Sequence, residues 1–165
     1  MCTFKKATAE DIPLIQELAE KSWNSAYKNI LSKEQIFYML REMYSAEEIS
    51  RQLQNPNYVY YLISVGNENA GFIGFEYQYE EKTTKLHRIY LLEEFKGKGL
   101  GKKTLQFLKL QVQQNGDTRI ILNVNKSNPA IEIYESQGFK IYEEGVFDIG
   151  NGFVMDDYLM ECFIN

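Results

Sequence analysis

At Tyr58 the chain changes its period, and this change restricts the available folds more than any other feature of the sequence. Upstream, apolar residues return at helical spacing. Ile12, Ile15, Leu18, Ala19, Trp23 and Ala26 follow a Thr8–Asp11 cap, and Ile36, Met39, Leu40 and Met43 follow Ser32–Gln35. A third helix opens at Ser45–Glu48 and ends near Asn55-Pro56. From Tyr58 onward the residues are aromatic and β-branched. Strands are predicted over 58–65 and 70–79 around a loop at 66–69, then over 85–92. A glycine-rich turn leads into a helix over about 99–114, a buried strand over 119–124 and a short helix opened by Asn128-Pro129. Two last strands, 141–147 and 153–163, flank Gly150-Asn151-Gly152. With a first strand around Phe4, the order predicts an α/β fold with a mixed sheet and helices on its faces, not a doubly wound parallel one.

Composition removes several function classes. The 165 residues predict one domain over 1–165. A net charge of -5 does not draw the chain to nucleic acid. One histidine (His87) and two cysteines (Cys2, Cys162) are too few for a His/Cys zinc site, and they suggest a reducing, cytoplasmic setting. The first residues lack an apolar signal core. No stretch approaches the roughly 20 apolar residues of a membrane span, so neither metal, nucleic acid nor membrane is expected as a partner.

The most informative stretch is Glu94-Phe95-Lys96-Gly97-Lys98-Gly99-Leu100-Gly101-Lys102-Lys103, between a strand and a helix. Glycines let the backbone approach a ligand closely, and the N–H groups of the following helix form an anion site. Lys96, Lys98, Lys102 and Lys103 surround that site in an otherwise acidic chain, so a diphosphate suits it. A Walker A loop fails because position 96 is Lys where glycine is needed, and position 103 is Lys where Ser or Thr is needed. A dinucleotide fingerprint from Gly97 fails at Lys102. A tight strand–helix connection with a solvated basic face stays open as the plain alternative.

The stretch resembles the Gln/Arg-x-x-Gly-x-Gly/Ala coenzyme A loop of the GNAT acyltransferase superfamily, with Lys96, Gly99 and Gly101 on its defined positions. Lys96 departs from the usual Gln or Arg, keeping a donor but losing the planar geometry. Asn128 to Phe139 resembles the second signature, N-x-A-x-x-x-Y-x-x-x-G-F, and the likeness covers nearly the whole chain. It implies a mostly antiparallel sheet of about seven strands, splayed between the fourth and fifth, and transfer of acetyl from acetyl-CoA to an amine.

By the same resemblance, Leu91 faces the thioester carbonyl with its N–H. Lys96, Gly97, Lys98, Gly99, Leu100, Gly101 and Lys102 hold the diphosphate. Asn128 is a cofactor-side residue, a role compatible with helix capping. Tyr134 matches the acid that protonates the departing thiolate; a phenol with pKa of about 10 carries that proton at neutral pH. His87, two residues before Ile89 and four before Leu91 on one strand face, is a candidate base, with Glu76 or a water chain as alternatives. Trp23, Tyr27, Tyr38 and the Asp156-Asp157-Tyr158 stretch are expected to shape the acceptor cleft, where rings and carboxylates suit a cationic amine. The pattern looks most like small-amine or polyamine acetyltransferases. A peptide N-terminus, as in ribosomal-protein acetyltransferases, and a non-catalytic acetyl-CoA sensor are the competing readings. A homodimer is left open, because no residue identifies an interface.

Overall fold

The computed structural model describes residues 1–164. In order, the elements are β1 (Cys2–Lys6), α1 (Ile12–Tyr27), α2 (Lys33–Met43), α3 (Ala46–Gln54), β2 (Tyr58–Val65), β3 (Glu68–Glu80) and β4 (Thr83–Leu91). Then come α4 (Leu100–Asn115), β5 (Arg119–Asn125), α5 (Ala130–Ser136), β6 (Lys140–Gly150) and β7 (Phe153–Phe163). The strands hydrogen-bond in the order β1-β2-β3-β4-β5-β7-β6. β4 and β5 run parallel, while β1–β2, β2–β3, β5–β7 and β6–β7 are antiparallel. Thr83–Leu86 of β4 pair with Arg119–Leu122 of β5.

The chain forms two compact units. One comprises Met1–Glu76 and Arg88–Leu100; the other comprises Tyr77–His87 and the chain from Gly101 onward. In the first unit, Ser32 and Ser45 cap α2 and α3 by accepting the N–H groups of Gln35 and Glu48. The Asp11 carboxylate accepts the Thr8 N–H at 2.9 Å, but a short 3-10 turn, Ala9–Asp11, intervenes before α1. The core is aromatic: Trp23 lies 4.6 Å from Tyr27 and 5.7 Å from Tyr90, and Phe72 lies 5.8 Å from Tyr90, centroid to centroid. Each such pair adds about 1 kcal/mol to the burial of its rings.

Two features of this unit fix β4. Gly71 on β3 has no room for a side chain, since a Cβ there would sit 2.0 Å from the Tyr90 carbonyl oxygen. Arg88 is buried, and its Nη1 donates to Gln52 Oε1 (2.9 Å), to the Tyr58 hydroxyl (3.1 Å) and to the Tyr60 hydroxyl. Its Nη2 donates to the Met43 carbonyl at 3.1 Å, and the guanidinium lies 4.5 Å from the Tyr44 ring centroid. Burial pushes the Tyr44, Tyr58 and Tyr60 hydroxyl pKa values up, with the Arg88 charge opposing it.

In the second unit, α4 buries Leu105, Leu108 and Val112 along one face. The buried Asp117 carboxylate accepts the Gln78 N–H (2.9 Å) and the Thr84 hydroxyl (2.7 Å). Gln78 adopts φ 52°, an uncommon conformation for a residue with a side chain, and Asp117 receives the N–H it presents.

Candidate active site

The loop after β4 is shaped by two glycines. A short 3-10 turn, Glu93–Phe95, buries Phe95, and Lys96 leaves it extended. Gly97 and Gly99 then take φ 79° and 76°, where a side chain would be strained. No atom lies within 4 Å of where their Cβ would be, so the backbone is open to solvent on that side. The third glycine differs: a Cβ at Gly101 would meet Ile133 at 3.5 Å, an ordinary contact. Leu100 is buried and opens α4, whose first N–H groups lack helical acceptors and carry partial positive charge. Lys96 Nζ pairs with Glu93 Oε2 at 3.2 Å, and Ser25 Oγ donates to the same oxygen at 2.8 Å. The Ser25 hydrogen bond and Lys96 hold the Glu93 carboxyl below its ordinary pKa. Lys98 Nζ lies 5.5 Å from the Phe95 ring centroid, and Lys102 and Lys103 are exposed.

The first unit also holds Leu91, Trp23 and Tyr27. Trp23 is only 2% exposed and donates from Nε1 to the Tyr44 hydroxyl at 3.3 Å. Tyr27 is buried too, its hydroxyl 3.5 Å from that of Tyr90. Both rings are core residues rather than open walls, because an amphipathic helix turns its largest apolar groups inward. Sequence reasoning passed over Tyr90, whose hydroxyl faces Tyr27. Glu76 accepts a hydrogen bond from Asn55 Nδ2 at 3.4 Å.

In the second unit, the α5 region explains its signature physically. Asn128 Oδ1 accepts the Ala130 N–H at 2.9 Å, and the Ile131 N–H reaches the Asn128 carbonyl at 3.2 Å. Asn128 thus satisfies the helix start as expected, with Pro129 one position earlier than predicted. At the other end, Gly138 turns with φ 93°, and the Phe139 N–H donates to the Tyr134 carbonyl at 3.1 Å. The Phe139 ring then lies 5.8 Å from Tyr134, whose residue is 8% exposed. Glycine and phenylalanine of the motif thereby seat the tyrosine.

His87 is half-buried, edge-on to the Tyr79 ring at 5.7 Å, and Lys85 Nζ lies 4.8 Å from that same ring. Asp156 and Asp157 separate because adjacent strand residues face opposite ways. Asp156 pairs with Lys126 at 3.0 Å, and Lys126 also reaches Glu144 at 3.5 Å. Asp157 is buried; burial first, then the Asp156 charge, push its pKa up to about 6, against the opposing pull of Lys85. Among the described residues, no group of three or more His, Cys, Asp or Glu side chains could hold a metal ion, and no helix is long and apolar enough to cross a membrane.

Residues 16–139 match the family model described as "Acetyltransferase (GNAT) family". The chain belongs to the GNAT acetyltransferase family. It is an N-acetyltransferase of that family. A curated relative, the spermidine N(1)-acetyltransferase of Thermoplasma acidophilum, is 29% identical over 158 residues, covering 93% of this chain and 94% of the relative. The crystal structure of PaiA N-acetyltransferase from Thermoplasma acidophilum in complex with coenzyme A superposes with a TM-score of 0.83 at 25% identity, covering 99% of both chains. The ribosomal-protein-S18-alanine N-acetyltransferase of Escherichia coli shares the fold, with a TM-score of 0.75 at 18% identity over 100% of this chain and 95% of that one.

Proposed function

We propose that residues 1–165 act as one acetyl-CoA-dependent enzyme that acetylates a primary amine of a small, polyamine-like cation. The observation that carries this reading is the Gly97–Gly101 loop, with two positive-φ glycines opening backbone N–H groups ahead of α4. Coenzyme A in the Thermoplasma PaiA structure and the spermidine specificity named for the Thermoplasma relative support it. Cys2 and Cys162 form no disulfide, which supports a reducing, cytoplasmic setting.

In this reading the diphosphate lies against Gly97, Gly99, Leu100 and Gly101, with Lys96, Lys98 and Lys102 supplying charge. Lys96 leaves Glu93 to do so, and Asn128 lines the donor side. The Leu91 N–H receives the carbonyl oxygen as negative charge develops on it. The neutral amine attacks the carbonyl carbon, a C–N bond forms, and the tetrahedral intermediate expels the thiolate. Tyr134 gives its phenolic proton to that sulfur, while the amine loses its extra proton to His87 or to water. Tyr27 and Trp23 shape the acceptor side from behind, by packing against Tyr90, and Asp156 supplies surface charge.

The test follows release of the CoA thiol from acetyl-CoA with spermidine, spermine, short diamines and peptides bearing free N-termini. Polyamine-stimulated release, reduced about 100-fold in kcat by Tyr134→Phe with the KM for acetyl-CoA kept, is the expected result. Peptide-selective release moves the activity to the N-terminal acetyltransferase class. Tight CoA binding without release for any acceptor replaces the enzyme with a sensor.

A further inference from the structure

One buried carboxylate on β7 has an oxygen with no partner where one is needed. Asp157 is 7% exposed, and its Oδ1 is buried without a hydrogen bond. Buried acceptors are rarely left so, because each unpaired one costs roughly 1–3 kcal/mol. No neighbouring donor reaches that oxygen. Across β5 it is paired in register with Asn125, whose Oδ1 is engaged by the Ser127 N–H at 2.9 Å. Across β6 it faces Gly145, which has no side chain. Of the charged groups that act on it, Lys85 on β4 lies 4.8 Å from the Tyr79 ring centroid, and Asp156 on its own strand is paired with Lys126.

The neighbouring ring completes the picture. Gly145 and Phe147 share the strand face of Asp157, and a Cβ at Gly145 would lie 3.3 Å from the Phe147 ring. Directly opposed residues in an antiparallel pair have Cβ positions about 5 Å apart, so this ring edge lies within about 8 Å of the Asp157 Cβ. Phe147 is more than one-third exposed. A buried carboxylate with an unpaired oxygen, near an accessible ring, has the chemistry that receives an alkylammonium group: a charged acceptor and an apolar surface for methylenes.

We propose that Asp157, with Phe147 near it on the same strand face, binds an ammonium group of the acceptor. This rests on the amine-acceptor reading above and adds the residue that selects a cation. Binding needs the ionised carboxylate. Spermidine affinity therefore falls as pH drops through about 6, where Asp157 becomes protonated.

The test uses the full-length chain with carboxyl-labelled aspartate, titrated with spermidine and, separately, with sodium chloride of equal ionic strength. The Asp157 signal, assigned by its loss in Asp157→Asn, shifts saturably with spermidine only. In steady-state assays Asp157→Asn raises the KM for spermidine roughly 10- to 100-fold while leaving the affinity for acetyl-CoA unchanged. Phe147→Ser raises that KM about threefold. An Asp157 signal indifferent to spermidine overturns the proposal, as does an unchanged spermidine KM in Asp157→Asn. Failure of the wild-type protein to acetylate any amine defeats the functional reading instead, and the spermidine-dependent shift is read without turnover.

Discussion

Arg88 and Asp157 are both more than nine-tenths buried, one in each compact unit, and they are treated in opposite ways. The guanidinium is surrounded by neutral acceptors: two tyrosine hydroxyls, the Gln52 amide oxygen and the Met43 carbonyl, with the Tyr44 ring alongside. Only its Nε lacks a partner. The carboxylate has an orphan oxygen and a glycine opposite. A buried ion clothed in the fold's own dipoles holds elements together, here α2, α3, β2 and β4. A buried ion left bare costs stability, and such sites persist where a ligand completes them.

The comparison can be broken experimentally. The largest effect is expected at Gly71, beneath the same strand that carries Arg88. Gly71→Ala places a Cβ 2.0 Å from the Tyr90 carbonyl oxygen, and backbone must move to admit it. A loss of more than about 3 kcal/mol in urea unfolding is expected, with loss of transferase activity through displacement of Leu91. Arg88→Met comes next, costing about 3 kcal/mol because several buried oxygens lose their donor together. If Arg88→Met unfolds at the wild-type urea midpoint, the clothed ion is not structural.

Asp157→Asn should do the reverse. The native carboxyl has a pKa of about 6 against 3.8 ordinarily, so the fold binds the extra proton between those values. Its destabilising contribution is absent below about pH 4 and complete above about pH 6. The variant should therefore melt above wild type at pH 8, with the gap closing toward pH 4, as scanning calorimetry would record. A gap independent of pH would mean that the carboxylate carries no such penalty. The smallest effect belongs to Lys96, already paired with Glu93. Lys96→Gln should change the KM for acetyl-CoA by no more than about threefold, since the exposed ion pair being exchanged is weak.

What could be read from sequence follows physical range. The glycine loop and the Asn128–Phe139 segment are local devices: positive-φ turns, a side-chain cap and a ring folded back within one turn. Their residue types announce them. The mixed, mostly antiparallel sheet of seven strands was also legible, through the likeness of both signatures to one family. The two aspartates were not separable, because assigning Asp156 to solvent and Asp157 to the interior requires the β5–β7–β6 register. Trp23 and Tyr27 suggested a cleft wall, and helix packing turned both inward. Arg88 gave no signal at all. Its partners come from α2, α3 and β2, as much as 45 positions away in the chain.

The two open glycines ahead of α4 have a consequence for how much of this protein a cell would keep. Exposed turns of this kind are where proteases cut first. A ligand that binds only the folded loop raises the unfolding free energy by mass action, about 2.7 kcal/mol at a hundredfold excess over Kd. With acetyl-CoA as that ligand, as proposed above, proteolytic lifetime would follow the acetyl-CoA concentration, and a starved cell would clear the enzyme faster than a fed one.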